Sequence, residues 1–291
     1  MESSEKSALL MRRAAIASIC VALVLTALKA GAYLASNSVA MLASMADSGL
    51  DLLASAVNYA AIRQALTPAD REHRFGHGKA EPLAGLVQSA FIAASALFLL
   101  VQSVERLLDP APIEHSGAAL AVMGVSIALT AMLVVYQNRA VAASRSTAIR
   151  ADRAHYAGDL AGNVAVILAI LLAGWFGWLW ADPVLALGVA ALLLHSAWRV
   201  GRDSLDQLMD RELPDETRAR IVQIIANHPA VKNVHDLKTR SAGLSTFIQA
   251  HIVLDGSQTL REAHAVTEAV EQALLHAWPG AQVIIHQDPS L

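Results

Sequence analysis

Residues 38–61 read SVAMLASMADSGLDLLASAVNYAA, an apolar run broken by two aspartates, Asp47 and Asp51. Such a run can cross a bilayer, because about 20 helical residues span the ~30 Å of hydrocarbon. On a helix, residues four apart share a face, so both carboxylates point the same way. Each ionised carboxylate at mid-membrane costs about 2.5–3.5 kcal/mol even on the lenient insertion scale, and two like charges one turn apart add repulsion. Something positive must meet that face.

A matching pair lies farther along the chain. Residues 155–163 read HYAGDLAGN, and His155 and Asp159 repeat the four-residue spacing inside another apolar run. Two helices with two ligands each supply three carboxylates and one imidazole, a tetrahedral N/O set of the kind zinc accepts. Polar helix packing and a metal-free proton relay are the competing accounts. Two such pairs on separate spans are harder to explain by packing than a lone polar residue would be.

The rest of the chain suits a membrane setting. Of its 291 residues, 55% are hydrophobic and 16% charged, with a mean hydropathy of +0.44, whereas soluble domains run near a quarter charged. The deficit is confined to residues 14–200, and 206–291 carry charges at ordinary density. The net charge of -3 gives no nucleic-acid footprint, and the lone Cys20 rules out a disulfide framework or a cysteine-based zinc site. The apolar run after Arg13 is too long for a signal peptide and reads as a first span.

Six spans are expected, at about 14–34, 39–62, 83–108, 117–137, 154–177 and 182–200. Ser36-Asn37-Ser38 reads as a tight turn between the first two, Asp109-Pro110-Ala111-Pro112 ends the third, and Asp182-Pro183 opens the sixth. Arg12 and Arg13, then Arg71, Arg74 and Lys79, then Arg139, Arg145, Arg150 and Arg153 fall on one side, while loops 35–38, 109–116 and 178–182 hold no Lys or Arg. By the positive-inside rule both termini are cytoplasmic, and Trp175, Trp178 and Trp180 fit an outer aromatic belt. The domains expected are a cytoplasmic tail at 1–12, a six-span transmembrane domain at 13–205 and a cytoplasmic metal-binding domain at 206–291.

Two further groups of metal-ligating residues lie outside the spans. The loop TPADREHRFGHGKAEPLAGL, residues 67–86, places Asp70, His73 and His77 at spacings of three and four, which can gather them on one metal. A plain basic loop with Gly76 and Gly78 as turn residues is the alternative. Beyond Pro214 the order is αββαβ: a helix at 216–229, strands at 234–243 and 244–255 about an Ala242-Gly243 turn, a helix at 260–279 and a strand at 281–289. This predicts a small antiparallel sheet with both helices on one face. His235, His251, His264 and His286 with Asp288 make a candidate zinc cluster there, in which a bridging aspartate can join two ions. Ordinary surface histidines are the alternative.

With these residues in place, the chain resembles the cation diffusion facilitators, and GHGKAEPLA, HDLKTR and IIHQDP bring it close to their bacterial zinc and ferrous-iron efflux branch. The resemblance implies a homodimer in the inner membrane with a ferredoxin-like cytoplasmic domain, exporting divalent metal in exchange for protons. By motif it implies a transport site of Asp47, Asp51, His155 and Asp159 and a loop site of Asp70, His73 and His77. It also implies a two-metal site of His235, His251, His264, His286 and Asp288, and a hinge charge pair of Lys79 and Asp210. One departure is NRAVAASRS at 138–146, which lacks the histidines that eukaryotic relatives often carry there.

Metal ligands must be deprotonated to bind, so metal and protons compete for one site, and alternating access about a mid-membrane site follows. The cytoplasmic sites would then sense metal. A membrane hydrolase is disfavoured because HExxH is absent, and a sensor that does not transport leaves the intramembrane residues without a purpose. Zn²⁺ suits the donors best, with Fe²⁺, Cd²⁺ and Co²⁺ tolerated and Mg²⁺ and Ca²⁺ less suited. His115, His195, His228 and His276 fall in none of these sites.

Overall fold

In a computed structural model, residues 2–36, 39–108, 117–144, 146–178 and 180–290 are described. Asn37 and Ser38 of the first turn, the segment 109–116 with His115, and Arg145 lie outside them. The chain forms two compact units, one of Ser7–Leu205 and one of Asp206–Leu291 together with the first residues of the chain.

Six long helices build the first unit: α1 (Glu2–Ser36), α2 (Val39–Ala65), α3 (Ala80–Leu108), α4 (Gly117–Ser144), α5 (Thr147–Phe176) and α6 (Ala181–Leu208). At 1.5 Å per residue each exceeds the hydrocarbon thickness. Most overrun the expected spans at the ends that carry arginine. The segment expected as a tail before Arg13 is helical from Glu2, α4 continues to Ser144, α5 starts at Thr147 and α6 reaches Leu208. The connection expected between residues 137 and 154 is thus helical up to Ser144 and again from Thr147. Charges end an apolar run without ending a helix, since Arg and Lys are good helix formers. Ser146 caps α5, its hydroxyl accepting from the Ile149 amide at 3.2 Å. Among the described residues, five of the six helices are long and apolar enough to span a membrane. The sixth, α2, carries Asp47 and Asp51 mid-helix and packs against α3 and α5.

Small residues let these helices approach. Ala14, Ala15, Ala84, Ala140 and Ala148 are buried with Met11, Ile62 and Ile149 in one cluster drawn from five helices, the small-residue packing typical of membrane bundles. Gly85 marks one close approach, where a Cβ would stand 2.5 Å from Ser204 Oγ and 3.2 Å from the Thr147 methyl. Many large side chains point outward, among them Phe98, Met132 and Trp198, each at least 65% exposed. That is the arrangement of a surface solvated by lipid.

The second unit consists of α7 (Asp215–Ala226), β1 (Asn233–Ala242), β2 (Ser245–Asp255), α8 (Leu260–Ala277) and β3 (Gln282–Ser290), in sheet order β1-β2-β3. The order αββαβ is as expected, but the sheet is mixed. β1 and β2 run antiparallel while β2 and β3 run parallel, because α8 is a crossover between them and a helical crossover returns the chain in the same direction. The turn sits one residue later than expected, at Gly243-Leu244, with Gly243 at φ 58°. Alternate β2 residues Ile248, Ala250, Ile252 and Leu254 pack with Ile221 and Ile225 of α7 and Val266, Val270 and Leu274 of α8. Both helices therefore cover one face, and residues such as His251 stand on the other.

Two outcomes follow. Gly85→Val should lower the thermal stability of the detergent-solubilised protein by about 1–3 kcal/mol, the usual cost of overpacking a filled contact. At the end of β2, the Asp255 carboxyl is held down to about 2 by hydrogen bonds from the Ser257 amide and hydroxyl and from Lys232. A depressed carboxyl stabilises the fold above its unfolded value, 3.8, and that contribution fades as pH falls toward 2. Asp255→Asn should flatten this acid limb, read as exchange protection of β2 amides.

Candidate functional site

Three ligand groups come together inside the first unit. His155 on α5 is 6% exposed, and its Nε2 lies 2.9 Å from Asp51 Oδ1 on α2 and 3.7 Å from Asp159 Oδ2 one turn along α5. Two carboxylates thus converge on one imidazole nitrogen, where a cation would take the place of the proton. Asp47, expected as the fourth member, sits one turn before Asp51 on an exposed part of α2 and does not join the group. The pairing of α2 with α5 is fixed beside the group by Tyr156, whose hydroxyl meets Ser55 Oγ at 2.8 Å.

Several polar groups around this site were not singled out from the sequence. Lys29 of α1 donates to Ser48 Oγ at 2.6 Å, bringing a positive charge beside the aspartate-bearing stretch of α2. Asp152 of α5 is fully buried and accepts from Ser18 of α1 and Gln137 of α4 at 2.5 and 2.8 Å. A lysine inside an apolar span is as costly as an aspartate, so Lys29 was visible by the same test that found Asp47. Asp152 is hidden because it precedes the apolar run that marks the fifth span.

The loop group also assembles. Asp70 Oδ1 accepts from the Glu72 and His73 amides at 2.9 and 2.7 Å. The His73 amide above all, then that of Glu72, draws its pKa below the ordinary carboxylate value. His77 Nε2 lies 3.4 Å from Asp70 Oδ2 and His73 Nδ1 3.7 Å from Oδ1. The other ring nitrogen of His77 sits 3.3 Å from the Thr67 carbonyl. Donating there fixes the tautomer that leaves Nε2 free for a metal, the usual outer-shell device. Gly76, at φ 81°, makes the bend.

In the second unit the sheet register does the work. His235 pairs with His251 across β1 and β2, and His251 with His286 across β2 and β3. Three imidazoles therefore form a row across the sheet face that the helices leave open. Asp288, two residues beyond His286 on β3, reaches all three: His235 at 3.2 Å, His251 at 3.0 Å and His286 at 3.4 Å. The hydrogen bond from His251 holds the Asp288 pKa below the ordinary carboxylate value. His264 is exposed on α8, which packs on the opposite sheet face, and it does not join the group within one chain. Asp236 was not foreseen. A bulge turns it to φ 47° and brings its Oδ2 to 3.7 Å from His251 Nε2. Asp210 pairs with Arg240 at 3.2 Å.

These groups sit in sequence that matches known proteins along almost its whole length. Residues 15–209 match the cation efflux transmembrane domain, and residues 213–290 match the cation efflux protein cytoplasmic domain. The chain belongs to the cation efflux family. It is therefore a membrane transporter of metal cations and not an enzyme. Among its relatives, the cation-efflux pump FieF of Shewanella oneidensis is 48% identical over 279 residues, covering 96% of this chain and 94% of that one. The pump of the same name from Serratia proteamaculans is 44% identical over 280 residues, covering 96% and 93%. The solved metal-bound C-terminal domain of the CzcD transporter from Thermotoga maritima is 27% identical, covering 25% of this chain and 87% of that one with a TM-score of 0.25.

One carboxylate reaching three imidazoles makes Asp288 the sensitive position of the cytoplasmic group. Asp288→Ala should weaken divalent-metal binding at this candidate group by at least the ten- to hundredfold that follows loss of an outer-shell partner, measured by calorimetric titration of the purified transporter with Zn²⁺ as the probe.

Proposed function

We propose that this cation efflux transporter exports divalent metal ions from the cytoplasm across a bacterial inner membrane in exchange for protons. Zn²⁺ is the foremost substrate, and Fe²⁺, Cd²⁺ and Co²⁺ are tolerated. The observation that carries this is the convergence of Asp51 and Asp159 on His155 Nε2 between two membrane-length helices. Burying these groups is too costly without a cation or a proton to share. Asp47 is the fourth ligand, one turn from Asp51, and closes the tetrahedron when an ion draws the face of α2 inward.

In this mechanism metal and protons compete for one set of donors. With the site open to the cytoplasm, an incoming ion displaces protons from His155 and the carboxylates. With the site open to the outside, the inward proton gradient restores those protons and expels the ion. Rocking of helices about the fixed site supplies the alternation. The basic loops support a cytoplasmic side for both termini.

The Asp70–His73–His77 group and the His235–His251–His286–Asp288 row then face cytoplasmic metal and bias the transporter toward a packed homodimer by differential affinity. His264 as a further ligand, a two-ion count and the Lys79–Asp210 hinge pair rest on the family pattern. Their support is the full-length match to the cation-efflux pumps.

Zinc flux into proteoliposomes under an imposed pH gradient tests this directly. Flux should follow the gradient and fall to background in Asp51→Ala; flux indifferent to the gradient would refute the exchange. Replacing the imidazole in His155→Asp gives an all-oxygen site, which should raise Mn²⁺ or Cd²⁺ transport relative to Zn²⁺ in the same assay. Unchanged selectivity would remove His155 from the ligand set.

A further inference from the structure

Asp152 has no place in the metal-ligating groups, yet it is the most enclosed carboxylate of the transmembrane unit. It is 0% exposed, and its partners, Ser18 of α1 and Gln137 of α4, are neutral. Among the described residues, its Oδ1 has no hydrogen-bond partner. A bare carboxylate in such a pocket is strongly disfavoured, and such a group keeps a proton instead. Donor counting agrees. Ser18 owns one hydroxyl hydrogen but lies within bonding distance of two oxygens, the Ala14 carbonyl at 3.1 Å and Asp152 Oδ2 at 2.5 Å. When Asp152 is protonated, its own O–H donates to Ser18 Oγ and the Ser18 hydrogen is released to the Ala14 carbonyl. The Gln137 amide, 3.0 Å from Ser18 Oγ and 2.8 Å from Asp152 Oδ2, holds both oxygens in place.

This pocket adjoins the metal-ligating group. Asp152 precedes His155 by one turn of α5, a rise of roughly 4.5 Å. Among the described residues, the titratable groups that act on it are His155 and Tyr156 on α5 and Asp51 on α2; its hydrogen-bond partners on α1 and α4 are the neutral Ser18 and Gln137, and α3 brings the buried Glu81 to the Thr147 and Ala148 amides at the start of α5. The Tyr156 hydroxyl, paired with Ser55 of α2, also donates to the Ser18 carbonyl at 3.3 Å. The pocket and the site therefore share α1, α2 and α5 as walls.

We propose that Asp152 is a second, proton-binding site of the transporter, protonated while the Asp51–His155–Asp159 group holds no metal and ionised when a divalent cation binds there. The arriving positive charge favours the ionised carboxylate across a low-dielectric gap, so the Oδ2–H bond breaks heterolytically, the electron pair stays on Asp152 and the proton leaves to water. When the cation departs, a proton from water returns to Oδ2. One more proton is thus exchanged per ion than the ligands alone release. The proposal rests on the transport-site reading above.

The test is proton release on zinc addition to the full-length protein in weakly buffered detergent solution, with zinc bound counted in parallel. Asp152→Asn keeps the shape of the protonated acid and should bind as much zinc while releasing about one proton fewer than the unmodified protein. Equal release from both overturns the proposal. Asp51→Ala separates the two readings, since release and binding unchanged in that variant would overturn the transport site itself. A second readout uses the unmodified protein, so failure of Asp152→Asn to fold does not end the test. Infrared difference spectra on zinc binding should show loss of a protonated-carboxyl band, and Ser18→Ala, which removes its hydrogen-bond partner, should move that band. A band absent, or unmoved by Ser18→Ala, is the contrary result.

Discussion

A charged group in hydrocarbon has no water to stabilise it, so it must neutralise, pair or face a cavity. The transmembrane unit is arranged around that constraint. Asp51 and Asp159 share one imidazole nitrogen, Lys29 tucks its ammonium against Ser48, and Asp152 is enclosed by hydroxyl and amide donors. Each solution joins different helices, so the polar groups also decide which helices are neighbours. The α2–α5 contact that creates the site owes its register to them, through His155 with Asp51 and Tyr156 with Ser55.

Hydrophobic burial cannot perform that role, because lipid is as apolar as leucine. Many buried positions are accordingly small, with Ala84, Ala96, Ala148 and Ala197 among them, and many large residues are turned out. The second unit follows the opposite rule. Ile221, Ile248, Ile252 and Leu274 are fully buried under two amphipathic helices, and the polar sheet face is left for the histidine row. One chain therefore uses two solvents and two packing rules.

The sequence made these rules legible where the cost of a residue was local. Asp47, Asp51, His155 and Asp159 stood out because four-residue spacing and burial cost can be read without knowing the neighbours. The αββαβ order was legible from periodicity. Strand direction was not, because it depends on where the α8 crossover returns the chain. Helix ends are not legible where an arginine interrupts an apolar run, and Asp152 lies in such a stretch. The separation of Asp47 from Asp51 and of His264 from the other histidines also lay beyond the sequence. Spacing assigns a residue to a face of its own element and cannot say what that face meets.

The register of the histidine row has a consequence for chain entropy. His235 and Asp288 are 53 residues apart along the chain, yet their side chains meet at 3.2 Å across the three-stranded sheet. An ion gripping both would close a loop that contains β2 and α8, a closure the folded sheet has already made and an unfolded chain would have to make in order to bind. Each binding event would then act as a reversible staple, stabilising the folded unit by an amount that grows with the free metal concentration. The rigidity of this small sheet becomes a gauge of how much metal surrounds it.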